Sequence, residues 1–127
     1  MKKILAIDYG TKRIGLAVSQ ANLAEPLKIL ENNQGVIDKL IKLISQEEID
    51  LVLMGISENV MAEKTKAFAR ELEKNIDVPL EFADETLSSQ SVHKKLASSH
   101  MKLKKRQDPI DHYAAAEILQ EWLEINQ

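Results

Sequence analysis

Three acidic positions stand at the borders of apolar runs, and their chemistry fixes what they could do together. Asp8 closes an aliphatic run, Asp84-Glu85 closes a later one, and Asp111 opens an alanine-rich segment with helical spacing. Carboxylates are the hard oxygen donors that Mg²⁺ and Mn²⁺ prefer, with water and substrate phosphate completing the shell. Two such ions about 3.5 to 4 Å apart can activate a water and stabilise the leaving oxygen in phosphodiester cleavage. That chemistry needs neither thiol nor imidazole. The chain has no cysteine, which excludes disulfides, thiolate-zinc sites and a cysteine nucleophile and fits a reducing compartment. His93, His100 and His112 lack a zinc-like spacing. Each acid alone also has a structural use: Asp8 in a turn, Asp84 or Glu85 at a helix N-terminus, Asp111 in a capping box. Their joint placement at strand ends is what points to a shared metal.

Positive charge is concentrated in two places. Lys12 and Arg13 follow Asp8 closely and are available as phosphate contacts. Lys94, Lys95, Lys102, Lys104, Lys105 and Arg106 put six cations into thirteen positions with no acid among them. The whole chain has a net charge of -3, so bulk electrostatics do not make it a nucleic-acid coat. Contact with nucleic acid would be local, through Lys104, Lys105 and Arg106 beside the Asp111 segment. With aromatics at 4%, base stacking is a minor means of recognition, and Trp122 belongs to an apolar helix stripe.

Elements that could position these groups follow from the hydrophobic period. Lys3 to Ile7 is a short β-run ending in the turn Asp8-Tyr9-Gly10-Thr11, and Ile14, Leu16 and Val18 alternate with small residues, so the two form a hairpin. Pro26 to Leu30 is a weaker third strand, with Pro26 at its start. Val36, Ile37, Leu40, Ile41 and Ile44 recur at helical spacing. The run from Asp50 to Gly55 is almost wholly apolar, as in a strand covered on both faces. The pattern then predicts a helix over 61–75, a strand over 78–83, and a helix capped by Thr86 or Ser88 and carrying Val92 and Leu96. The last helix has Asp108 as N-cap and Pro109 at its first position, with Ala114, Ile118 and Trp122 on its apolar face.

A hairpin followed by alternating helices and strands implies an α/β domain with a mixed sheet of about five strands flanked by helices. The 127 residues, 44% hydrophobic, suit one domain over 1–127. No apolar run approaches the ~20 residues of a membrane span, and Asp8 interrupts the opening run too early for a signal peptide. A cytoplasmic protein without membrane contact is expected.

The stretches Asp8-Tyr9-Gly10-Thr11-Lys12-Arg13-Ile14-Gly15-Leu16-Ala17, Asp84-Glu85-Thr86-Leu87-Ser88 and Ile110-Asp111-His112-Tyr113-Ala114-Ala115-Ala116-Glu117-Ile118-Leu119-Gln120 resemble, in order and spacing, the YqgF (RuvX) family. The resemblance implies a ribonuclease-H-like fold and a nuclease using Mg²⁺ or Mn²⁺ to process the 5′ end of the small-subunit (16S) ribosomal RNA precursor. Carried over by position, the catalytic metal ligands would be Asp8, Glu85 and Asp111, with Asp84 adjacent to Glu85 and the choice between them open. Ribosomal RNA precursor is favoured over junction DNA, the ribosome is a further candidate partner, and monomer and homodimer both remain open. The alternatives are a Holliday junction resolvase and an inactive RNA- or ribosome-binding module. Two positions depart from the family pattern: Thr86 stands where Arg is usual, and Gly55-Ile56-Ser57 where Gly-Leu-Pro is usual. An Asp-x-Gly-Thr hairpin also opens two-domain ATPases, but this chain has one domain's length and no P-loop.

Overall fold

The computed structural model describes residues 2–56, 61–84 and 111–126, with the backbone alone described for Met61, Asp84, Asp111, His112 and Tyr113. Five strands form one sheet: β1 (Ile4–Tyr9), β2 (Arg13–Gln20), β3 (Leu23–Glu31), β4 (Leu51–Ile56) and β5 (Leu80–Asp84). The spatial order is β3-β2-β1-β4-β5. β1 and β2 pair antiparallel, as do β2 and β3, whereas β4 runs parallel to β1 and β5 parallel to β4. This is the mixed five-stranded sheet, with its hairpin, that the sequence pattern predicts. Three described helices flank it: α1 (Val36–Gln46), α2 (Met61–Glu73) and α3 (Asp111–Ile125). Among the described residues no helix is long and apolar enough to cross a membrane.

Strand alternation sends β1 into two cores. Leu5 and Ile7 join Ile14, Leu16 and Val18 of β2 and Leu40, Ile44 and Leu72 of α1 and α2. Ile4 and Ala6 face the other way and join Ala17, Leu51 and Leu53 with Ala115, Ile118, Leu119 and Leu123 of α3. Such two-sided burial explains why β4 is an unbroken apolar run: a strand inside a parallel pair has no wet face. Tyr9 packs against the first core with its ring centroid 4.7 Å from that of Phe68.

Several boundaries differ from the sequence expectation: β1 runs on through Asp8 and Tyr9, which the pattern put in the turn, and α2 ends at Glu73. β3 begins at Leu23 rather than at Pro26. The turn before it is tight, with Ala21 in the left-handed region at φ 54. Leu16 pairs with Lys28 while Ala17 pairs with Pro26, so Leu27 is an extra residue, and the bulge lies beside the proline that cannot donate to the ladder. β5 begins at Leu80, two residues later than expected. Pro79 precedes it, and its carbonyl accepts from the Val52 backbone N–H at 2.9 Å. The capped helix carrying Val92 and Leu96, and the Asp108-Pro109 start of the last helix, lie outside the described residues.

Candidate active site

Asp8 is the most firmly built of the acidic positions. It lies on the central strand, paired with Gly15 of β2, and only 7% of it is exposed. Alternation places it on the face of Ile4 and Ala6, the face that α3 covers. One further step of the β1–β4 register sets it beside Gly55, which itself pairs with Ala83 of β5. The residues level with Asp8 on this face are therefore small, and they sit at the C-terminal ends of the three parallel strands, where ligands of open α/β sheets gather.

The direction of α3 follows from one anchor and two lengths. The Gln120 side chain accepts from the Ala24 N–H at 2.9 Å and donates to the Asn22 carbonyl at 3.3 Å. Ala24 pairs with Ser19, whose hydroxyl accepts from the Ile4 N–H at 2.8 Å, so Gln120 lies level with the start of β1. The helix ends soon after, at Ile125, so the part that covers Ala6 and Leu53 must be the part preceding Gln120. Nine residues of helix rise about 13.5 Å. Four residues of strand from Ile4 to Asp8 rise about 13 Å. The backbone of Asp111 thus starts α3 at the end of the sheet where β1 delivers Asp8.

Along β5, Leu80 packs with the first core and Ala83 with the second, so the backbone position of Asp84 shares the parity of Leu80. Glu85 lies outside the described residues, as do Lys104, Lys105 and Arg106 and the stretch from Ser57 to Asn59. Among the described residues no three acidic or imidazole groups stand close enough to hold a metal ion together. Of the expected ligand set, the structure describes the side chain of Asp8 only.

Lys12, on the turn between β1 and β2, and Arg13, which opens β2, are exposed. A Cβ on Gly10 would come within 2.5 Å of the Arg13 carbonyl oxygen, so the turn closes too tightly for any other residue. The turn is also held from β3. The Asn32 side-chain amide donates to the Gly10 carbonyl at 2.8 Å, and its backbone N–H donates to the Lys12 carbonyl at 2.9 Å. Sequence reasoning missed Asn32 because nothing local marks a partner 22 residues away.

Comparison with known proteins places these observations in a lineage. The RuvX family model, described as Holliday junction resolvase, matches residues 2–125. A protein of Maridesulfovibrio salexigens named "Putative pre-16S rRNA nuclease" is 33% identical, over 95% of this chain and 97% of its own length. A protein of Koribacter versatilis with the same name is 36% identical, over 96% and 86% respectively. Among solved structures, Thermus thermophilus RuvC in complex with a Holliday junction superposes with a TM-score of 0.60 at 14% identity, covering 99% of this chain and 96% of that one. The fowlpox virus resolvase bound to junction DNA gives 0.62 at 12% identity, with 98% of each chain covered. At these identities the structural likeness is one of fold, and the fold is ribonuclease-H-like.

Proposed function

Since the chain belongs to the RuvX family, whose model spans nearly its whole length, we propose that it is a divalent-metal-dependent nuclease trimming the 5′ end of the small-subunit ribosomal RNA precursor. The observation that carries the reading is the convergence at one end of the sheet. Asp8, a buried acid on the central strand, lies on the face of α3, and α3 starts at that end with Asp111. The name shared by the relatives supplies the RNA.

The donor set fits a hard cation. An all-carboxylate set with no thiol suits Mg²⁺ or Mn²⁺. When bound, such ions lower the pKa of an attacking water and neutralise the leaving oxygen. Asp8 would hold the metal from the stiffest point of the sheet, because β1 has ladders on both sides. Asp111 would approach from the helix start. For the third ligand we assign Glu85 over Asp84, because the alternation that puts Ala83 on the α3 face returns to that face at the next odd position. Lys12 and Arg13 would hold backbone phosphate on the turn after Asp8, and Lys104, Lys105 and Arg106 would do so from the far side of Asp111.

The test is incubation of the purified chain with Mn²⁺ or Mg²⁺ and three substrates: a ribosomal RNA precursor fragment, an unstructured RNA and a four-way DNA junction. Metal-dependent cleavage of the precursor, blocked by chelator, is expected. Preferential cutting of the junction would move the assignment to junction resolution, which the family's description favours. Binding without cleavage of any substrate would make the chain an inactive binding module, the reading suggested by Thr86.

A further inference from the structure

We propose that Asn32 is a positioning residue of this nuclease, holding the Gly10–Arg13 turn in the shape that presents Lys12 to a phosphate of the substrate strand. The proposal rests on the nuclease reading above. Asn32 follows the end of β3, which pairs with β2 and never with β1. From that edge it takes two carbonyls of the connection between β1 and β2. Its amide nitrogen reaches the Gly10 oxygen at 2.8 Å in a half-buried setting, and its backbone N–H reaches the Lys12 oxygen at 2.9 Å. The same turn has no slack on its inner side, where Gly10 lies against the Arg13 carbonyl. It is therefore fixed from within by the missing Cβ and from outside by one asparagine.

The chemistry of the side chain matters here. An amide can donate to the Gly10 carbonyl while the residue's own N–H is engaged elsewhere. Aspartate has the same shape but would set oxygen against oxygen, and alanine would leave a half-buried carbonyl without its donor. Thr11, Lys12 and Arg13 are exposed, so ordering this turn adds nothing to the core. Its effect falls on where the Lys12 cation is held when a phosphate arrives. A turn ordered before binding does not have to be ordered by the ligand.

The experiment is a double-mutant cycle on binding: the native chain, Asn32→Ala, Lys12→Ala and the double variant. Each is titrated against a fluorescently labelled RNA stem-loop, and in parallel a four-way DNA junction, at several salt concentrations with chelator present so that no strand is cut. Asn32→Ala is expected to weaken binding about threefold to tenfold, the range of one lost hydrogen bond. It should also lower the salt slope by about one charge unit, as Lys12→Ala does. The double variant should be no weaker than Lys12→Ala alone, because the brace acts through the lysine. Effects that add, or a lowered melting temperature with native affinity and salt slope, would make Asn32 a purely structural residue and overturn the proposal. If Asn32→Ala does not fold, Asn32→Asp is read in the same cycle, where the interaction between the two sites is diagnostic and the raw affinity is not. A native chain that binds neither probe overturns the proposal as well. Failure of the nuclease reading is seen separately, as the absence of metal-dependent cleavage by the native chain.

Discussion

Replacing Asp8 with asparagine keeps the side-chain shape on the central strand and removes its charge, which isolates the electrostatic part of the proposed metal site. A ligand that binds only the folded state stabilises it by RT ln(1 + [L]/Kd), about 1.4 kcal/mol when the metal is at ten times its Kd. Unfolding entropy near the melting point is about 2.1 cal/mol/K per residue, which for 127 residues is roughly 0.27 kcal/mol/K. The native chain should therefore melt about 5 °C higher with Mn²⁺ at ten times Kd than with chelator, from that stabilisation and entropy together. If Asp8→Asn weakens the metal about a hundredfold, the same concentration should move its melting point by less than about 1 °C. The chelated variant should melt close to the chelated native protein, since Asn occupies the same largely buried space and removes a carboxylate that other acids would repel. Calorimetry or dye-monitored melting of four samples, each protein with Mn²⁺ and with chelator, reads all of this. An equal Mn²⁺ shift in both proteins would show that Asp8 does not hold the ion, and the assignment of the site to the β1 end would fall.

Further outcomes follow from the same geometry. Glu85→Gln should abolish metal-dependent cleavage while Asp84→Asn retains most of it, and the reverse pattern in a single-turnover assay would mean that the alternation of β5 does not continue past Asp84. Asp111→Asn, which can still cap a helix but is a poorer Mg²⁺ ligand, should lose cleavage without losing fold by circular dichroism. Neutralising Lys104, Lys105 and Arg106 should flatten the salt dependence of RNA binding by roughly one charge unit per lost phosphate contact, with an unchanged slope marking a merely solvated surface. Gly10→Ala should cost about 1 to 3 kcal/mol in a urea melt, because the atom met at 2.5 Å is backbone and cannot swing aside.

What was legible in the sequence was what depends on local pattern. Alternation at Ile14, Leu16 and Val18 announces β2, and the spacing of Val36, Leu40 and Ile44 announces α1, because each reports burial of one face of one element. Pro26 was misleading as a strand boundary. A proline can also sit inside an edge strand when a bulge takes up the missing donor, and the bulge at Leu27 is defined only by the partner strand. The choice between Asp84 and Glu85 was illegible for a similar reason. Adjacent acids are equivalent until something shows which face the last helix covers, and the proposed preference for Glu85 leans on Ala83 packing against the core of Ala115 and Ile118.

Of the expected ligands, Asp8 is the one whose side chain the structure describes, and the topology shows how firmly it is held. β1 is the middle strand, tied to β2 on one side and β4 on the other, so its end cannot shift without breaking two ladders. Its pattern of small and aliphatic residues records that confinement. Asp84 ends β5, which has a single neighbour, and Asp111 starts a helix tied to the sheet by side chains, through packing and the Gln120 hydrogen bonds, and not by a backbone ladder. In the proposed site the fold would supply one carboxylate from a doubly paired strand and the others from elements with fewer ties. For a site that must admit a bulky polyanion and release it, stiffness at one ligand fixes where the cation sits, and freedom at the others lets the coordination shell accept a phosphate oxygen.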